Sequence, residues 1–195
     1  KGGYRFSNRR AVFFRFFDER GVSMNGLSIV DLQEMMSQDA FSAKELCQET
    51  FNRIDGLNEK GPALRAIIEK NPDTLHIAAQ LDKERKEKGP RSLLHGIPIV
   101  LKDNIDTADL MQTTAGSLAL LGKPALKDAY IVKRLRDAGA VVIAKANLSE
   151  WANFRSAKSS SGWSSRGGQC LNPYDLTRSP CGSSSGSAVS VAAGM

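Results

Sequence analysis

Apolar residues along the chain recur at helical spacing in some stretches and as short unbroken runs in others. Ser28 precedes a stretch through Met36 that reads as a short helix. Ser42-Ala43-Lys44-Glu45 has the capping-box arrangement, which predicts a second helix to about Ile54. Leu46, Cys47, Phe51 and Ile54 share one face of it. Ala63–Glu69 (ALRAIIE) reads as a strand. Asn71-Pro72-Asp73 starts a helix continuing to Lys88, with proline where a helix start tolerates it best, and Gly89-Pro90 breaks the chain after it. The mixed charges of Asp82–Lys88 read as a solvated face, and His76 reads as packing rather than catalysis. Ile97–Leu101 (IPIVL) and Ala140–Ala144 (AVVIA) are short and wholly apolar, as strands covered on both faces are. Between them Asp128–Ala138 is amphipathic and ends at Gly139. This succession predicts an α/β fold with a mixed, mostly parallel sheet covered by helices.

From Ser156 to Ser187 the chain is rich in Ser and Gly, as flexible linkers are. Trp163, Arg166, Tyr174 and Arg178 interrupt it, and an apolar tail, Ala188–Met195, follows. We read a structured loop leading into a buried helix. Residues 1–23 differ from the rest: they hold five of the eight phenylalanines and contribute +4 of the net charge of +6. Arg15, Asp18 and Glu19 break any apolar core of a signal peptide. The segment reads as an extension outside the fold, a basic amphipathic anchor being the alternative. Residues 24–195 then form one domain.

Charge beyond residue 23 is nearly balanced, at +2, which argues against a nucleic-acid partner. No apolar run is long enough to span a bilayer. The cysteines Cys47, Cys170 and Cys181 lack paired spacing, and His76 and His95 are the only histidines, so neither a metal site nor a disulfide scaffold is expected. Free thiols fit a reducing compartment such as the cytoplasm.

Three features are candidates for chemistry. Lys102 follows an apolar strand: its amine either reaches solvent or is held inside, where desolvation favours the neutral, proton-accepting form. Cys181-Gly182-Ser183-Ser184-Ser185-Gly186-Ser187-Ala188 places hydroxyls and backbone N–H groups before a helix, suited to an anion or to ordinary capping. It also fits Gly-x-Ser-x-Gly around Ser184, but no strand-like run precedes it and no histidine follows. Thr113–Ser117 (TTAGS) and Lys145–Glu150 (KANLSE) lie near strand ends, where sites gather in α/β sheets, and either is also readable as loop packing.

Taken together, GIPIVLKDNID (Gly96–Asp106), TTAGS, DAYIVKRLRDAGAVVIAKANLSEWANF (Asp128–Phe154) and NPYDLTRSPCGSSSGSA (Asn172–Ala188) resemble the amidase signature family, in its order and at its separations. The wording ANLSEWANF is most similar to peptide amidases. The resemblance spans about Leu27 to Met195 and implies an N-terminal portion of an amidase catalytic domain. It implies a Ser–cis-Ser–Lys triad that hydrolyses carboxamides or peptide amides, with Lys102 as base and Ser183 as bridge. It places the attacking serine downstream of Met195, so this chain alone is expected to be inactive. No cofactor or metal is implied, and the partner is a small amide or peptide amide. Two alternatives stand beside it. One is an amidotransferase A-type subunit releasing ammonia from glutamine; the other is a non-catalytic protein that keeps the fold. Cysteine at position 181, where the family often has glycine, is expected to be a buried structural thiol.

Overall fold

A computed structural model describes residues 26–195. The N-terminal extension expected over residues 1–23 lies outside them. Two capping boxes start the chain. Ser28 Oγ accepts from Asp31 N while Asp31 accepts from Ser28 N, opening α1 (Ile29–Ser37). Ser42 and Glu45 repeat the arrangement at α2 (Ala43–Ile54). The carboxylate of Asp82, on α3 (Thr74–Lys88), accepts from the backbone N–H groups of Ala43 and Lys44. One side chain thus satisfies two of the orphan donors of α2 and ties the two helices together. Met36, Phe41, Leu46, Cys47, Ala78 and Leu81 fill the space between them.

The sheet has the order β1-β3-β2. β3 (Val141–Ala146) is central and buried at all six positions. β2 (Pro98–Lys102) pairs with it in parallel, reached through α4 (Tyr130–Asp137), and β1 (Ile67–Lys70) pairs antiparallel. The sheet is therefore mixed, as expected. Its β2 edge is more open than the apolar run implies: of its residues only Leu101 is buried, because one flank has no strand neighbour among the described residues.

The strand read from Ala63 begins four residues later, at Ile67. Ala63 and Arg65 have φ of +51° and +50°, outside the extended region. The backbone here serves a different purpose. Arg65 N donates to Asn58 O, and the Asn58 side chain pairs with both N and O of Ile67, extending the ladder with an amide in place of a strand. A two-residue ribbon, β4 (Trp163–Ser164) with β5 (Gly168–Gln169), gives the Ser/Gly-rich stretch its structure.

The last helix, α5, runs Ser185–Ala192 and so starts earlier than the apolar tail. It is buried on one face only: Val189 is 1 % exposed and Val191 81 %. Two further readings are corrected. His76 is exposed and pairs with Gln80 on its own helix rather than packing inside. Cys181 is exposed, because its backbone turns at φ +61° on the outer side of the loop before α5.

Candidate active site

Lys102 is the last residue of β2 and Ser183 lies in the loop before α5. The fold brings them together across 81 positions of sequence: Lys102 Nζ is 2.7 Å from Ser183 Oγ and 3.1 Å from Ser184 Oγ. Lys102 is neither fully exposed nor sealed in, and partial burial pushes its ammonium below the usual lysine range. The removal of water disfavours the charged form. The lysine therefore reaches neither of the extremes its position in sequence left open; it spans from strand end to serine loop.

The serine loop is shaped by close backbone contacts. The Gly182–Ser183 peptide is cis. Ser149 N donates to Ser183 O at 3.1 Å, and Ser149 Oγ accepts from Gly162 N at 2.8 Å. A Cβ on Gly182 would lie 2.4 Å from that same Oγ, so any side chain there would displace the Ser149 hydroxyl from its bond to Gly162 N. Ser184 is the residue before α5 and exposed, with irregular chain leading into it rather than a strand.

Asn147, just past β3, joins the parts. Its side chain donates to Arg65 O and Gly168 O and accepts from Leu148 N and Ser164 Oγ; its backbone donates to Ala66 O and accepts from Gly186 N. One buried amide thus fixes the approach to β1, the ribbon and the start of α5. Every polar atom of its side chain is satisfied, as a buried amide requires.

The TTAGS segment cradles Asp103, the residue after Lys102. Asp103 lies in the turn that follows β2 and is fully buried. Its carboxylate accepts from Thr114 Oγ1, Gly116 N and Arg166, and its backbone O accepts from Thr114 N and Ala115 N. Burial still leaves its carboxyl above the usual range, opposed by these donors. Arg166 also pairs with Glu69 on β1, so one guanidinium ties β1 to the turn after β2. The segment is thus a support for the lysine-bearing turn.

Asp103, Arg166 and Glu69 carry no motif signal of their own. The hint available in sequence was an arginine interleaved in a Ser/Gly-rich loop. Lys145, singled out only within KANLSE, is fully buried at the sheet centre. The cleft of about 610 Å³ between the α1–α2 connection and the end of α3, lined by Met36, Phe41, Glu45, Asp82 and Arg85, lies apart from these residues. Among the described residues no helix is long and apolar enough to cross a membrane.

Comparisons with known proteins agree with this architecture. The family model described as Amidase matches residues 45–195. A probable amidase of Arabidopsis thaliana is 47% identical over 175 residues, covering 89% of this chain and 34% of that protein. The A-type component of the glutamyl-tRNA(Gln) amidotransferase of Symbiobacterium thermophilum is 43% identical over 173 residues, covering 86% of this chain and 33% of its own length. Among solved structures, the native peptide amidase of Stenotrophomonas maltophilia superposes with a TM-score of 0.83 at 56% identity, over 86% of this chain and 34% of that one. The chain spans about a third of the length of these relatives. With one family model covering most of its residues and the same fold in a solved amidase, the chain belongs to the amidase family.

Proposed function

We propose that the complete protein hydrolyses carboxamides or peptide amides through a Ser–cis-Ser–Lys triad. Lys102 is its base and Ser183 its bridge, and the attacking serine comes from downstream of Met195. The observation that carries the proposal is the 2.7 Å contact between Lys102 Nζ and Ser183 Oγ. An amide is a poor acyl donor: its attacker must lose a proton and its leaving nitrogen must gain one. A neutral Lys102 amine takes the Ser183 hydroxyl proton as that hydroxyl takes one from the attacking serine. The same relay run backwards delivers a proton to the leaving nitrogen, and water then frees the acyl group. The contact distance suits either position of the proton.

The substrate class follows from similarity. Identity to the Stenotrophomonas maltophilia peptide amidase exceeds identity to the amidotransferase component, and another structure of a peptide amidase holds the competitive inhibitor chymostatin. On this reading residues 24–195 are the N-terminal portion of a single catalytic domain, and residues 1–23 stand outside it.

The test is ammonia release from peptide amides by the complete protein. Lys102→Ala and Ser183→Ala should each lower kcat by about 10²–10⁴-fold, the range of general acid–base catalysis. Either variant hydrolysing at the parental rate would overturn the assignment. The 195-residue chain alone should release no ammonia above background.

A further inference from the structure

Lys145 is the fifth residue of β3, in a strand that is otherwise apolar. Its whole side chain is buried. An ammonium in that position needs specific partners to offset the loss of water. It has two: Nζ donates to Ile105 O at 2.6 Å and to Thr113 Oγ1 at 2.9 Å. Burial pushes its ammonium below the usual lysine range, opposed by the carboxylates of Asp103, Asp109, Asp106 and Glu69.

The two acceptors lie on the segments that carry and support Lys102. Ile105 N donates to Lys102 O at 3.0 Å, closing the turn Lys102–Ile105. Thr113 precedes the threonine that holds Asp103, and its Oγ1 also donates to Ile105 O at 3.3 Å. On β3 itself, Leu101 pairs with Lys145 and Lys102 with Ala146. The Lys102 backbone is thus held from the strand side by the ladder and from the turn side by the Lys145 amine.

We propose that Lys145 is a positioning residue for Lys102: from the sheet interior its amine clamps the Lys102–Ile105 turn against Thr113, and so keeps the Lys102 amine on Ser183. Lys145 touches neither serine and takes no part in proton transfer. This rests on the assignment of Lys102 and Ser183 as the relay.

The experiment uses the complete protein and three variants, with Lys102→Ala beside them as the control for the relay. Thr113→Val removes one acceptor and leaves the lysine in place; Thr113→Ser keeps the hydroxyl; Lys145→Met removes the charge at similar length. Steady-state ammonia release and amide hydrogen exchange at Ile105 are measured together. A clamp predicts that Lys145→Met lowers kcat by about 100-fold with KM within about twofold, the loss expected from a displacement near 1 Å. Thr113→Val should lower kcat by about 5-fold and speed Ile105 exchange about tenfold, and Thr113→Ser should restore both. If Lys145→Met does not fold, the Thr113 pair decides. Parental kcat and parental Ile105 exchange in Thr113→Val would overturn the clamp. So would losses confined to KM. A Lys102→Ala variant as active as the parent would instead overturn the relay beneath it, and the Ile105 exchange readout would still report whether the clamp exists.

Discussion

Gly186 is the second residue of α5, and its replacement by alanine gives the sharpest test of how the serine loop is seated. A Cβ there would lie 2.2 Å from Ala66 O and 2.5 Å from both N and O of Asn147. All three are backbone atoms in or beside the sheet, so no side chain can swing aside. The helix must lift by roughly 1 Å to restore ordinary contact. That movement breaks the 2.9 Å bond from Gly186 N to Asn147 O. Overpacking of this kind costs about 1–3 kcal/mol, and a lost buried hydrogen bond about 0.5–1.5 kcal/mol. Alanine returns up to about 1 kcal/mol as a better helix former. The net loss is about 2 kcal/mol within a span of about 0.5–4.5, which in a protein about three times this length is a fall in Tm of about 2 °C. Gly122, with nothing within 4 Å of its would-be Cβ, is the control, and Gly122→Ala should leave Tm nearly unchanged. Differential scanning calorimetry of the complete protein reads both. Because Ser183 and Ser184 lead directly into the lifted helix, amide hydrolysis should fall with stability. A Gly186→Ala variant that melts with the parent would refute the idea that α5 is seated by backbone contact.

The remaining predictions concern the thiols, the base and a cap. Burial pushes the Cys47 and Cys170 thiols up to about 12, whereas Cys181 is exposed. A thiol-disulfide reagent should therefore label Cys181 quickly in the folded protein and Cys47 and Cys170 only after denaturation, and Cys181→Ser should remove the fast labelling from this region; rapid reaction of Cys47 or Cys170 would contradict the structure. In the proposed relay Lys102 accepts a proton only when neutral, so kcat/KM should rise with pH as its proton leaves, with a midpoint below the usual lysine value of about 10.4. Lys102→Arg, which keeps its proton, should lose that limb together with the activity. Ser42→Ala removes the hydroxyl that accepts from Glu45 N and should lower stability by about 1 kcal/mol in chemical denaturation; no change would mean that Asp82 alone satisfies the start of α2.

Elements governed by local chemistry are readable in the sequence. The capping box of α2 announces itself as Ser42 followed three residues later by Glu45, Ser28 marks the start of α1, and both helices begin where these residues say. The apolar runs at Ile97 and Ala140 mark β2 and β3 because an apolar stretch has few other places to go. Lys102 and Ser183 emerge through motifs in register, since neither stands out by residue type. What escapes detection depends on distant partners. The apolar run of β3 reads as ending at Ala144 because lysine counts as polar, and nothing nearby reveals that Ile105 O awaits it. The turn at Ala63 and Arg65 exists to meet Asn58, and the outward face of Cys181 follows from a backbone turn that a small apolar residue does not advertise.

The guanidinium of Arg166, joined to Glu69 and Asp103, has a consequence for how the protein meets its medium. Arg166 is 11% exposed and Asp103 not at all, so mobile ions have little access to the space between them. Surface pairs such as Lys83–Glu87 and Lys133–Asp137 stand in water and fade as the Debye length shrinks. Raising ionic strength therefore weakens these surface pairs while leaving the support under Lys102 in place. The geometry of the lysine-bearing turn is in this sense salt-tolerant, insulated from brine by the same burial that hides its charges.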